Sequence, residues 1–258
     1  MNKYFKNKKD NNEEVPHIVD DRTPFAIREA YRALYTNVRY LNIEDKCKKI
    51  VITSAVPGEG KTTLSVNLAL TLAQNLEDKR VLLIDSDMRR SRVASYLGLA
   101  PKTRGLSEYL AGLDTEPNFE YVSDHKLMVL CAGAPCVNPT KLIGSDRMKK
   151  LLLACEQEFD YVIIDTPPVT VVADAVLYND SVNGYIIAAR SEYTNLNRLT
   201  ECIESLKAVG AEIFGIVLGD IDIKKDAGKY GKYGKYGKYS RYSRYGRYAY
   251  SRYSDNYK

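Results

Sequence analysis

Nine residues, Ala55-Val-Pro-Gly-Glu-Gly-Lys-Thr-Thr63, constrain the fold of this chain more than any other feature. They follow a short, continuously apolar and β-branched run, Lys49–Thr53 (KIVIT), and open a stretch from Lys61 to about Leu76 that reads as a helix. A buried strand, a Gly/Pro turn and a helix in that order form the frame of a phosphate-binding loop. Gly58 and Gly60 let backbone N–H groups turn inward around phosphate oxygens, and the helix N-terminus adds a favourable dipole. Lys61 is expected to reach the β- and γ-phosphates, and the Thr62 hydroxyl to bind Mg²⁺. Pro57, Gly58, Glu59, Gly60, Lys61, Thr62 and Thr63 are therefore the candidate nucleotide-binding residues. The first glycine of the general pattern is Ala55 here. The plainer reading, an ordinary Gly-rich strand-to-helix turn, does not account for so specific a string as GEGKTT in this setting.

The rest of the chain fits that frame. Residues 1–23 are polar and expected to be flexible. From Pro24 to Leu41, Ile27, Tyr31, Leu34, Tyr35, Val38 and Leu41 recur at helical spacing and predict an amphipathic helix. Further strands are expected at 80–84, 127–130, 161–164, 184–189 and 213–218, and helices at 91–97, 106–110, 146–157 and 196–209. This alternation of helices with short, continuous, β-branched strands predicts an α/β fold of the P-loop NTPase class: a mostly parallel sheet covered by helices on both faces. The expected organisation is a flexible 1–23, a catalytic domain over 24–226, and a tail over 227–258. Ligands of such sheets bind beyond the carboxyl ends of the strands. Segments 54–63, 85–90 and 165–168 all lie at that edge.

Two of those segments carry acids. Val81-Leu-Leu-Ile-Asp85-Ser-Asp87-Met-Arg89 ends a strand with two carboxylates one residue apart, able to hold a metal ion or accept a proton. Tyr161-Val-Ile-Ile-Asp165 is an apolar strand ending in the usual second acid of a phosphate-loop enzyme, which holds Mg²⁺ often through water. Either alone is weak, because carboxylates at strand ends often only cap the next helix. All three motifs in order point to phosphoryl chemistry, with Thr62, Asp85 and Asp165 as candidate Mg²⁺ ligands and Lys61, Asp85, Asp87, Asp165 and Arg89 as candidate catalytic residues. Arg89 has two open roles, neutralising transition-state charge or forming an ion pair.

The last thirty-one residues differ in kind. Gly228–Lys258 holds ten tyrosines (Tyr230, Tyr233, Tyr236, Tyr239, Tyr242, Tyr245, Tyr248, Tyr250, Tyr253, Tyr257), nine Lys/Arg, one acid, and no Leu, Ile, Val or Phe. Such a segment cannot bury enough apolar surface to offset the entropy of ordering, so disorder is expected. Nine cations against one acid give the tail +8, and the whole chain carries +5, so the remainder is −3. A mildly acidic body with a cationic arm suggests an interaction tail, and a run of exposed phenols is a natural phosphate acceptor. Donor machinery and acceptors on one polypeptide suggest a tyrosine kinase acting on its own tail. The five cysteines (Cys47, Cys131, Cys136, Cys155, Cys202) are odd in number and scattered, which fits reduced packing thiols in a cytosol rather than a disulfide framework or zinc site. The start, MNKYFKNKKDNNEE, has no signal-peptide core, and no run approaches the ~20 apolar residues of a membrane span. Work at a membrane would need recruitment.

On these residues the chain resembles the bacterial tyrosine kinases of capsule and exopolysaccharide synthesis, stand-alone type. The family's Walker A loop, A-x-P-G-E-G-K-[ST], is matched by Ala55–Thr62, its second acidic motif by Asp85, Asp87 and Arg89, and its Walker B acid by Asp165. Gly105–Gly112 (GLSEYLAG), Ala132–Ser145 and Asp165–Ala175 are similar to the family as well. The resemblance implies ATP and Mg²⁺ as cofactors, autophosphorylation of the tyrosine cluster, and a cytoplasmic kinase recruited to the inner face of the membrane. A transmembrane polysaccharide co-polymerase adaptor would activate it, and a cognate tyrosine phosphatase would reverse it. It also implies a homo-oligomeric ring packed through an E-x2-R-x2-R helix. Here Glu29 and Arg32 match, the third position is Tyr35, and Arg39 follows one turn later. The family's V-L-N at the last core strand reads Val217-Leu218-Gly219-Asp220.

A tyrosine hydroxyl has a pKa near 10, so a carboxylate beside the attacking oxygen would help take its proton. Asp85 and Asp87 are both candidates. Two other functions compete. A partition or Min-type ATPase shares the layout, but such proteins carry a signature Lys where this chain has Val56, and they lack the tail. A binding module could use the cationic, aromatic tail on nucleic acid or acidic polymer, although nucleic acid is not expected as the main partner. Lys61, Thr62, Asp85, Asp87 and Asp165, all intact, speak against a catalytically dead relative.

Overall fold

A computed structural model describes residues 18–43, 46–76, 79–100 and 104–221. The readings for residues 1–17 and for the tyrosine-rich tail lie outside them. The elements are, in chain order, α1 (Phe25–Arg39), β1 (Lys48–Ser54), α2 (Lys61–Asn75), β2 (Val81–Asp85), α3 (Val93–Tyr96), α4 (Leu106–Leu110), β3 (Glu120–Val122), β4 (Leu127–Leu130), α5 (Pro139–Ile143), α6 (Asp146–Glu158), β5 (Tyr161–Asp165), β6 (Gly184–Arg190), α7 (Leu196–Lys207) and β7 (Ile213–Gly219). Two short 3-10 helices cover Ser123–His125 and Ala173–Ser181.

Among the described residues seven strands form one sheet in the order β3-β4-β2-β5-β1-β6-β7, parallel throughout except for β3 at one edge. The central strands are buried on both faces, which is why they read as continuous apolar runs rather than alternating ones. Their pleat divides the core in two. Ile50, Ile52, Leu83, Ile163 and Ile186 face α1, α2 and α3, with α2 sandwiched between the sheet and α1. Val51, Leu82, Ile84, Val162 and Ile187 face α4, α5, α6, α7 and the 173–181 helix. The expected doubly covered parallel sheet is thus the one observed.

The ends of α1 and α2 fall close to the sequence reading, while the helix expected at 91–97 shortens to Val93–Tyr96. Three elements had no periodicity to announce them. β3 is three residues long, α5 is five, and the 173–181 segment is 3-10 rather than α-helical. In α5 the local signal is a cap: the Asn138 side chain accepts from Lys141 N, and Pro139 occupies the first turn. Residues 18–23 run as a turn tied to α2, where Val19 N donates to Asn67 Oδ1 at 2.7 Å. Among the described residues no helix is long and apolar enough to cross a membrane. The five cysteines are free thiols, all buried except the half-buried Cys136.

Candidate active site

The site stands at the carboxyl ends of β1, β2 and β5, three neighbouring strands. Register places Asp165 opposite Asp85 on one side and Ile52 on the other, so the two acids emerge side by side next to the loop that leaves β1. Gly58 and Gly60 of that loop take the left-handed conformation, with φ of 84° and 82°, a region that any Cβ would strain. Gly60 is the N-terminal cap of α2. The loop that leaves β5 is stitched to β1 and to the start of this one. Thr53 Oγ1 donates to Pro167 O at 2.9 Å, Val169 N to Ser54 O at 2.9 Å, and Thr170 Oγ1 to Ala55 O at 2.7 Å.

Lys61, at the first position of α2, sends Nζ to Asp87 Oδ2 at 3.0 Å, and both side chains are largely buried. Burial pulls the Lys61 ammonium down, but the charges of Asp165, Asp87 and Asp85 more than offset it and hold its pKa above the ordinary lysine value. Thr62 Oγ1 donates to Asp165 Oδ2 at 2.7 Å, and Ser65 Oγ, three residues on along the same helix face, donates to Asp165 Oδ1 at 3.0 Å. Asp165 is fully buried, and that burial raises its pKa even though Lys61, Thr62 and Ser65 pull the other way. Asp85 is pushed up to about 8, by burial first and then by the charge of Asp165. It also caps α3: Oδ2 accepts from Arg92 N and Val93 N, and Oδ1 from Asp87 N. Asp87 keeps Oδ1 on Arg90 N and gives Oδ2 to Lys61.

Burial, together with the excess of negative charge from three carboxylates around one ammonium, raises the pKa of the Asp85 and Asp165 carboxyls. This donor set, with the Thr62 hydroxyl, fits a divalent cation that shares its ligands with phosphate oxygens and water. Among the described residues no three His, Cys, Asp or Glu side chains close around a point as a cage, which suits a cation such as Mg²⁺ that keeps waters and phosphate ligands.

Arg89 pairs with a fourth acid, Asp174 (Nε–Oδ2 3.1 Å), and donates from Nη2 to Thr140 Oγ1 at 2.9 Å, joining the loop after β2 to α5 and the 173–181 helix. Glu59 is buried, and its carboxylate folds back onto Val56 N and Thr194 Oγ1. Thr63 Oγ1 meets Tyr96 Oη at 2.8 Å. The proposed oligomerisation residues sit on exposed parts of α1, where Glu29 pairs with Arg32 and Arg39 Nη1 lies 3.4 Å from Tyr35 Oη. Ser65, Thr140, Asp174 and the turn Arg190–Thr194 are not among the candidate site residues of the sequence. The signals available there are that Ser65 lies one turn after Lys61 and that Arg190 ends a strand at the ligand edge.

Sheet, loop and acids define a phosphate-loop nucleotide-binding fold. Residues 47–214 match the AAA domain family. The chain is 35% identical over 196 residues to tyrosine-protein kinase CpsD of Streptococcus pneumoniae serotype 4, covering 76% of this chain and 85% of that one. The kinase domain of Escherichia coli tyrosine kinase ETK superposes with a TM-score of 0.69 at 35% identity, covering 74% of each chain. The chimerical protein CapA2B2 superposes with a TM-score of 0.70 at 32% identity, covering 76% of this chain and 85% of that one. The chain belongs to the bacterial tyrosine kinases of capsule and exopolysaccharide synthesis, and is a protein-tyrosine kinase.

Proposed function

We propose that this kinase transfers the γ-phosphoryl group of ATP to its own C-terminal tyrosines, Tyr230–Tyr257, from one subunit of a homo-oligomer to another, and so regulates polymerisation and export of a capsular or extracellular polysaccharide. The observation that carries the proposal is the Lys61–Asp87 pair beside Asp85 and Asp165, at the mouth of a phosphate loop, in a chain that also bears ten acceptor phenols. Bound Mg²⁺ would neutralise phosphate charge, with Thr62, Asp165 and Asp85 as its protein-side neighbours. Lys61 leaves Asp87 for the β/γ-phosphate oxygens, and the N–H groups of Gly58–Thr63 receive the remaining oxygens. That move frees Asp87 Oδ2, which then takes the phenolic proton as the tyrosine oxygen attacks. Asp85 is less available to take that proton, because both its oxygens are already engaged by backbone N–H groups. Arg89 acts through Asp174 and Thr140 to hold the acidic loop, the one after β2 that carries Asp87.

An extended chain spans about 3.3 Å per residue, so thirty residues reach roughly 100 Å, enough to enter a neighbour's site. Each phosphotyrosine adds about −1.5 to −2 charges, so about four or five cancel the tail's +8. A heavily phosphorylated tail is then expelled and the ring loosens. A variant with every tail tyrosine changed to Phe that shows the same oligomer as phosphorylated protein refutes that step. A transmembrane adaptor recruits the kinase to the inner face of the membrane and activates it, and a cognate tyrosine phosphatase resets it.

The test is intact-mass spectrometry after incubation with Mg²⁺ and ATP, beside Lys61→Met. Steps of about 80 Da, one HPO₃ group each, localised to Tyr230–Tyr257 and absent from the variant are expected. ATP hydrolysis without any ladder, even with the adaptor's cytoplasmic segment added, would instead favour a partition-type ATPase.

A further inference from the structure

The turn that follows β6 grips the phosphate loop from outside. Tyr193 Oη donates to Pro57 O at 3.0 Å, Arg190 Nη1 donates to Gly58 O at 3.4 Å, and Thr194 Oγ1 donates to Glu59 Oε1 at 2.5 Å. Glu59 completes the link across the loop, since its Oε2 accepts from Val56 N at 2.9 Å. The turn is itself ordered by Thr194 Oγ1, which accepts from Arg190 N at 2.7 Å, and by Arg190 O, which accepts from Thr194 N at 2.9 Å. The Arg190 guanidinium lies 5.4 Å from the centre of the Tyr193 ring, and Gly58 leaves little room, for a Cβ there would stand 3.1 Å from Tyr193 Oη.

The peptide bond is planar and trans, so the C=O of one residue and the N–H of the next point in opposite directions. Donors that hold the Pro57 and Gly58 carbonyls outward therefore aim the N–H groups of Gly58 and Glu59 inward. Without an anion to organise them, those N–H groups need another constraint to keep that orientation, and this turn supplies it. We propose that Tyr193, Thr194 and Glu59 are positioning residues for phosphoryl transfer, a clamp from the β6–α7 turn that presets the phosphate loop for the nucleotide. This rests on the reading that the β- and γ-phosphates of ATP occupy the loop.

The test uses the full chain with Tyr193→Phe, Thr194→Val and Thr194→Ser, and measures ATP affinity by titration calorimetry in Mg²⁺, with KM for ATP, kcat for tail phosphorylation, and melting temperature. Tyr193→Phe keeps the ring and removes only the donor. Thr194→Val leaves the buried Glu59 Oε1 without its hydroxyl partner. Loss of one such hydrogen bond should weaken ATP binding and raise KM about tenfold, with kcat within about twofold, because ground state and transition state lose equally. Thr194→Ser should restore both. If Tyr193→Phe and Thr194→Val keep wild-type ATP affinity and only melt lower, the residues are merely structural and the proposal fails. Should Thr194→Val not fold, the half-exposed Tyr193 decides alone. Wild-type protein that binds ATP but phosphorylates no tyrosine sinks the tail reading and leaves the clamp to be judged by affinity; wild-type protein that binds no ATP sinks both.

Discussion

Asp85→Asn should make the unliganded protein more stable at alkaline pH while abolishing phosphorylation. The Asp85 carboxyl sits at about 8 in the fold against an ordinary 3.8. Above pH 3.8 the unfolded chain releases a proton that the folded chain keeps, so stability is fully present below that point, falls as pH rises, and is lost by about pH 8. At roughly 1.36 kcal/mol per unit, the loss is on the order of 2 kcal/mol by about pH 5.5 and 5–6 kcal/mol by about pH 8.5. Burial raises Asp165 too, which adds a slope of the same sign in both proteins. Asn does not titrate, but its amide nitrogen cannot accept, so some of the N–H groups of Asp87, Arg92 and Val93 lose their partner, at about 1–3 kcal/mol. The two proteins should therefore be about equally stable near pH 5.5, and the variant should lead by about 3 kcal/mol near pH 8.5. The assay is urea unfolding followed by far-UV circular dichroism at several pH values, without Mg²⁺ or nucleotide. If the difference between the two proteins does not widen as pH rises, the raised Asp85 and the charge argument built on it are wrong.

Further outcomes follow from the same contacts. Arg89→Ala leaves the fully buried Asp174 without its cation and should cost about 3–5 kcal/mol by thermal or urea unfolding; an unchanged midpoint with lost kcat would place Arg89 in the chemistry instead. Gly60→Ala meets no steric contact but is forced to a positive φ, so it should cost about 1–2 kcal/mol in stability and weaken ATP binding in the same titration. Tyr178→Phe removes the buried hydroxyl that meets Ser86 Oγ behind the acidic loop and should lower stability by about 1 kcal/mol, leaving KM for ATP unchanged.

Much of this was legible in the sequence because it is governed by local chemistry. Continuous β-branched runs predict strands buried on both faces, and β1, β2, β5 and β6 are such strands. GEGKTT after the first run places the loop, and acids at the ends of two further runs place Asp85 and Asp165 at its edge. Segments too short to show a period escaped, namely β3 and α5, and so did the 3-10 run at 173–181, which lacks the helical repeat. Side-chain partnerships escaped for a different reason. Glu59 reads as part of the loop's phosphate-facing string, yet its carboxylate serves Thr194, 135 residues away. Arg89 reads equally well as a catalytic cation or an ion pair, and only the fold shows that Asp174, 85 residues on, lies against it.

By itself, then, the sequence determined the strand and helix order, the phosphate loop, the acids beside it, and a cationic tyrosine tail with too little apolar surface to build a core. These depend on periodicity, turn chemistry and composition, all of which act over a few residues. The tertiary structure alone decided the strand order that brings Asp85 beside Asp165, the burial that raises the Asp85 pKa, and the grip of the Arg190–Thr194 turn on the phosphate loop. Each of these depends on which distant segments share a face of the sheet, and on how completely water is excluded between them.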